Sequence, residues 1–105
     1  MRPSKKARLD AMIEEATVDC NNEHEQATGF FTMIEDRVAV PFRTSILGVR
    51  VTVERFDIKA TGQIVAICVR DRQRQSISLA DLPLPTPAPD GAEWIGAYRQ
   101  WLAGG

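Results

Sequence analysis

VRVTVERFDI, residues 49–58, decides the fold class of this chain. Val49, Val51 and Val53 alternate with Arg50, Thr52 and Glu54, the period of two that marks a half-buried strand. Phe56 and Ile58 carry the alternation on with the opposite parity, which predicts a bulge or bend near Glu54–Arg55. Downstream, Thr61-Gly62 reads as a turn and Ile64 to Arg70 as a central strand, apolar on both parities. Asp71 to Arg74 reads as a second, polar turn, followed by a strand in which Ile77 and Leu79 alternate with Ser76 and Ser78. Phe42 to Leu47 offers one more strand. Short strands joined by tight turns predict an antiparallel meander of four to five strands, curled into an SH3-like half-barrel.

Upstream of Pro41 the period is helical. Ser4 is a candidate cap for a helix running to about Ala16, with Leu9, Met12, Ile13 and Ala16 on one stripe. Val18 to Asn22 breaks it, because Asp and Asn side chains compete for backbone hydrogen bonds. Asn22 and Glu25 have the offset of a capping box and open a second helix to about Arg37. Ala27, Phe30, Phe31, Ile34 and Val38 form its buried face. Gly29 costs about 1 kcal/mol relative to Ala inside a helix, so a close neighbour is expected there. Pro83, Pro85, Pro87 and Pro89 make residues 83–90 an extended surface connector. Asp90 then caps a last helix over residues 91–102, whose stripe of Trp94, Ile95, Tyr98, Trp101 and Leu102 closes the core. The expectation is one α+β domain over residues 1–105: N-terminal helices, the small sheet, and a C-terminal helix packed on it.

Composition narrows the function classes. The longest apolar run, Ile64 to Val69, is far short of the roughly 20 residues of a membrane helix. Met1 to Asp10 is basic and then amphipathic, with no apolar export segment, so Cys20 and Cys68 are expected as free thiols in a reducing cytoplasm. Net charge is −1, but it is segregated: residues 1–9 hold four bases and no acid, residues 10–36 hold eight acids and no Lys or Arg, and residues 37–105 hold nine bases against six acids. Such a block either faces water or gathers cations. There is no nucleophile elbow, phosphate-cradling loop or paired-cysteine motif, and His24 is the only histidine, so the chain is read as non-catalytic. Arg70, Arg72 and Arg74 cluster at one turn, but a pI near 5.8 argues against nonspecific nucleic-acid binding.

The acidic block suits hard cations in two places. Asp19, Asn21, Glu23 and Glu25 have the spacing of the first four ligand positions of an EF-hand loop. His24 replaces the turn glycine and Phe30 the bidentate glutamate, which excludes a full EF-hand and leaves a looser site on Asp19, Asn22 and Glu23, with Glu25 beside them. Glu35 and Asp36 lie in the last turn of the second helix, where the dipole disfavours carboxylates and unpaired carbonyls collect. The competing reading is that a nearby arginine such as Arg37, Arg43 or Arg55 neutralises them. Glu25 and Asp36 are roughly 16 Å apart along a helix and cannot share an ion.

The chain resembles the family of small bacterial proteins similar to the cyanobacterial calcium-binding protein CcbP. The residues that carry the likeness are ARLDAMIEEATVD at 7–19, EQ at 25–26, GFFTMIED at 29–36, PF at 41–42, GVRVTVER at 48–55, SLADL at 78–82 and EWIGAYRQWL at 93–102. The likeness implies calcium binding without catalysis and a compact mixed fold. The family's acidic pair stands intact at Glu35 and Asp36, followed by the main-chain carbonyls of Val38 to Val40; likeness and acidic block together suggest one site there and another at Asp19, Glu23 and Glu25. Asn22 and His24 stand where the family carries aspartates, which implies a modest affinity. The expected function is therefore a calcium buffer or sensor. The alternative is a small β-barrel interaction module, for protein or nucleic acid, that has lost calcium binding; the C-terminal helix or an open sheet edge also offers a homodimer surface.

Overall fold

A computed structural model describes residues 4–104. Its elements follow the order α1 (Lys5–Thr17), α2 (Glu23–Arg37), β1 (Phe42–Ile46), β2 (Val49–Ile58), β3 (Ile64–Arg70), β4 (Gln73–Ser78) and α3 (Glu93–Leu102). The fold is α+β, three helices against one four-stranded antiparallel sheet. No helix among the described residues is long and apolar enough to cross a membrane.

The sheet is a meander of order β1-β2-β3-β4, with β1 and β4 at its two edges, so it does not close into a barrel. The pairing register shifts between Val53 and Arg55, which puts the bulge at Glu54 where the parity switch in the sequence requires one. That extra residue turns Phe56 and Ile58 back to the face already occupied by Val53. Across the strands Phe42, Val53, Cys68 and Gln75 stand opposite one another in register, and so do Phe56, Ala66 and Ile77. These rows form the inner face of the sheet, and the helices cover much of it.

The core sits between α2, the inner sheet face and α3. Phe30, Ile34, Val53, Ile64, Leu79, Leu82 and Ile95 are its fully buried large side chains. Phe30 meets Tyr98 edge-on at 5.7 Å between ring centroids and Trp101 at 5.3 Å. Such aromatic pairs add about 0.5–1.5 kcal/mol beyond burial. The Tyr98 hydroxyl accepts a hydrogen bond from the Ile64 amide at 3.4 Å, which ties α3 to the start of β3. Burial raises the Tyr98 pKa, with that amide pulling it the other way. The Arg99 guanidinium donates to the carbonyls of Leu79 and Leu82 and so pins the proline-rich connector against α3.

Helix α1 packs on α2 through Gly29. A Cβ on Gly29 would be driven into the Ala16 carbonyl, which is the close neighbour that a glycine in mid-helix predicted. The Ser4 cap is present, its hydroxyl accepting from the Ala7 amide at 3.1 Å. Asn22 caps α2 through the Glu25 amide at 2.9 Å, but the Glu25 carboxylate reaches back to the Asn21 amide, one residue before the capping-box position.

Three expectations need correction. The last helix begins at Glu93 rather than residue 91, its N-cap is Ala92, and Asp90 makes no side-chain cap. The Asp90 carbonyl accepts instead from the Ala39 amide, and Gly91, at φ 82, presses against the Arg37 carbonyl, so a tertiary contact sets the chain direction there. Leu102 is 48% exposed and lies outside the closing stripe. Gln73 and Arg74 belong to β4, which leaves Asp71 and Arg72 alone as the turn.

Candidate functional site

The residues singled out for a cation fall at opposite ends of α2. Around its N-terminus, Asp19 sits in the left-handed region at φ 62, a conformation that Asp tolerates better than most side chains. Asn22 spends its carbonyl oxygen on the Glu25 amide, and Glu25 accepts from Asn21 at 2.7 Å. Glu23 and Glu25 occupy the first turn of α2, where the helix dipole itself favours carboxylates by about 0.3–1 kcal/mol each. Asp19 and Glu23 make no hydrogen bond or ion pair among the described residues and are exposed. They are the two carboxylates of this loop that no described side chain or amide engages.

The far end of α2 is arranged differently. Asp36 pairs with Arg37 at 3.3 Å, the arginine neutralisation that competes with a metal at this position. Glu35 is exposed, and adjacent helical positions point about 100° apart, so it does not face the same point as Asp36. Val38 is buried and donates its amide to the Ile34 carbonyl, while Val40 is partly exposed. The connector at Gly91 lies on the Arg37 and Val38 backbone, so another part of the chain already fills the space beside this helix end. Among the described residues no three His, Cys, Asp or Glu side chains gather into a metal-holding group. At the α2 C-terminus Asp36 is engaged by Arg37 and the connector lies alongside, whereas the loop keeps two unengaged carboxylates.

Next to the loop lies a cleft of about 660 Å³ lined by Glu23, His24, Gly62, Tyr98, Trp101 and neighbouring residues. The Trp101 indole donates to the Gln26 side chain at 3.0 Å, which places a fluorophore against the first turns of α2. Nothing in the sequence pairs Gln26 with Trp101. The two thiols are free. Cys68 is buried on the inner sheet face, and burial raises its pKa, so it stays a neutral thiol.

The charge segregation read from the sequence maps partly onto the layers of the fold. The acids of residues 10–36 all lie on α1, α2 and their loop, with Lys5, Lys6 and Arg8 in the first turns of α1 and Arg37 at the end of α2, whereas Arg43, Arg50, Arg55, Arg70 and Arg74 lie on the sheet, with Arg72 in its turn. Two sheet arginines are neutralised locally, Arg74 by Glu54 at 3.1 Å and Arg55 by Asp57 at 3.6 Å. The hydrogen bond from Arg74 holds the Glu54 pKa below the usual carboxylate value. Sheet arginines therefore do not neutralise the helical acids. Compared with known proteins, the chain matches no family model, no curated protein and no solved structure.

Proposed function

We propose that this chain is a non-catalytic, cytoplasmic calcium-binding protein of modest affinity, and that the ion associates with the loop between α1 and α2. The observation that carries this reading is the acidic stretch over α1, α2 and their loop: eight acids in residues 10–36, of which only Asp36 is in an ion pair among the described residues. The likeness to the calcium-binding family supports it. Asp19 and Glu23 would supply the charged oxygens. Calcium takes roughly six to eight oxygen ligands, so water and loop carbonyls must provide the rest, and a site with two charges belongs at the weak end of the range. Glu35, Asp36, Val38 and Val40 play no part in this version of the site. The bulge at Glu54 supports a curl of the meander of the SH3-like kind, which completes the same proposal.

Calcium titration by calorimetry, followed in parallel by tryptophan fluorescence, tests it. The expected dissociation constant is roughly 10⁻⁴–10⁻³ M. Trp101 should report the binding through Gln26. Asp19→Asn and Glu23→Gln should each weaken it, whereas Asp36→Asn should leave it unchanged. Absence of heat and of any fluorescence change, or full binding by the Asp19→Asn, Glu23→Gln double variant, overturns the reading. The alternative, an interaction module, draws its support from the sheet rather than the helices.

A further inference from the structure

The face of the sheet turned away from the helices carries one block in which every side chain is a hydrogen-bond donor. The β1–β2 hairpin closes through a two-residue turn, Leu47-Gly48, so Ile46 and Val49 beside it exchange main-chain hydrogen bonds. Ser45 with Arg50 and Arg43 with Thr52 are then the non-hydrogen-bonded pairs, whose side chains stand closer together. All four lie on the outer face, with the two arginines on one diagonal of the block and the two hydroxyls on the other. Diagonal neighbours of this kind are about 7 Å apart, well within the reach of two arginines toward a common point.

Three further observations bear on what this block takes. Arg43 and Arg50 are exposed, and neither is in an ion pair among the described residues, whereas Arg55 and Arg74 on the same face are held by Asp57 and Glu54. Both free arginines line a depression of about 240 Å³ at the outer edge of β1, and no carboxylate lines it with them. Its other wall is apolar: Pro83, Leu84 and Pro85 of the connector, tied to the strand by the Thr44 hydroxyl, which donates to the Pro83 carbonyl at 2.6 Å. Toward β3 the same two arginines share a second depression with Asp71.

We propose that Arg43, Arg50, Ser45 and Thr52 form a binding site for the phosphate group of a small phosphate monoester, whose organic part packs on Pro83, Leu84 and Pro85. A monoester carries nearly two negative charges near neutral pH, which two guanidiniums match. Its three terminal oxygens can accept from both forks and from the hydroxyls together, whereas a carboxylate has two oxygens and is satisfied by a single fork. A long polyanion laid across the sheet fits less well, because beyond the block it meets Glu54, Asp57 and Asp71. The site goes beyond the calcium reading and uses none of the α1–α2 loop.

The test is titration of the full chain with phenyl phosphate, inorganic phosphate and acetate in calcium-free buffer, followed by amide resonance shifts. Phenyl phosphate should move residues 43–45, 50–52 and Leu84; inorganic phosphate should move the first two groups with weaker affinity, and acetate none. Arg43→Gln and Arg50→Gln should each weaken binding by about tenfold or more, the loss of a charged hydrogen-bond partner. Arg55→Gln, at an arginine already paired, should leave it unchanged. Asp71→Asn keeps a residue that tolerates the φ of 53 there, removes a competing charge and should strengthen binding a few-fold. Leu84→Ala should narrow the preference for phenyl phosphate. The arginines are exposed, so circular dichroism should show their variants folded. No shift with either phosphate, equal shifts with acetate, equal affinity for the two phosphates, or unchanged affinity in both Arg43→Gln and Arg50→Gln overturns the proposal. So does a thymidine oligonucleotide that binds more tightly than phenyl phosphate and also moves Arg55 and Arg74. The Asp19→Asn, Glu23→Gln variant should bind phenyl phosphate like the parent, so failure of the calcium reading and failure of this site are read separately.

Discussion

Val51 and Val53 are the same residue type on the same face of the same strand, two positions apart, yet Val53 is fully buried and Val51 is not. Beyond Val53, toward the β2–β3 turn, the inner face is sealed by α2 and α3 around Phe30, Ile34 and the Tyr98–Trp101 pair. Toward the β1–β2 turn the same apolar row continues with no helix over it. Alternation along a strand decides which side chains share a face. It does not decide how far the opposing layer reaches, and that reach separates a core from a surface that can bind.

The contrast can be broken or sharpened by substitution. The largest effect belongs to the sealed end: Phe30→Ala removes a ring that touches two other aromatics and should cost about 3–5 kcal/mol in urea denaturation. Next, Val53→Ala should cost about 2–3 kcal/mol, the loss of two buried carbons plus the cavity they leave. Val51→Ala, at the open end, should cost less than about 1 kcal/mol. Equal losses at the two valines would mean that the open end is covered in solution. The smallest effect has the opposite sign. Leu47→Asn relieves a left-handed leucine that buries nothing and should raise stability by about 0.5–1 kcal/mol, read as an upward shift in Tm.

Much of the fold was legible because its decisive signals are local. The bulge was written in the parity switch between Val53 and Phe56, the α1–α2 contact in Gly29, and the α2 cap in the Asn22–Glu25 offset. The start of α3 was not legible from Asp90, because the Asp90 carbonyl answers to Ala39, about fifty residues earlier in the chain, and Gly91 to Arg37. The same contact explains why Val38 and Val40 looked available as ligands: only the folded chain brings the connector onto the end of α2. At the other end of that helix, sequence spacing grouped Asp19, Asn22, Glu23 and Glu25, and the fold divides them into two engaged in local hydrogen bonds and two that are free. The tip of the β1–β2 hairpin is conspicuous in the sequence too. An apolar residue stands at position 47, in a turn where a small polar residue is the ordinary choice.

The meeting of Gly29 with the Ala16 carbonyl reaches beyond packing. Two backbones in direct touch behave as a welded joint on both sides of the Val18–Asn22 loop, with no long side chains between them to slide or repack. Whatever settles in that loop can tighten it but has no lever with which to swing the helices apart. A cation would be held here as in a reservoir, its arrival scarcely felt at the far edge of the sheet.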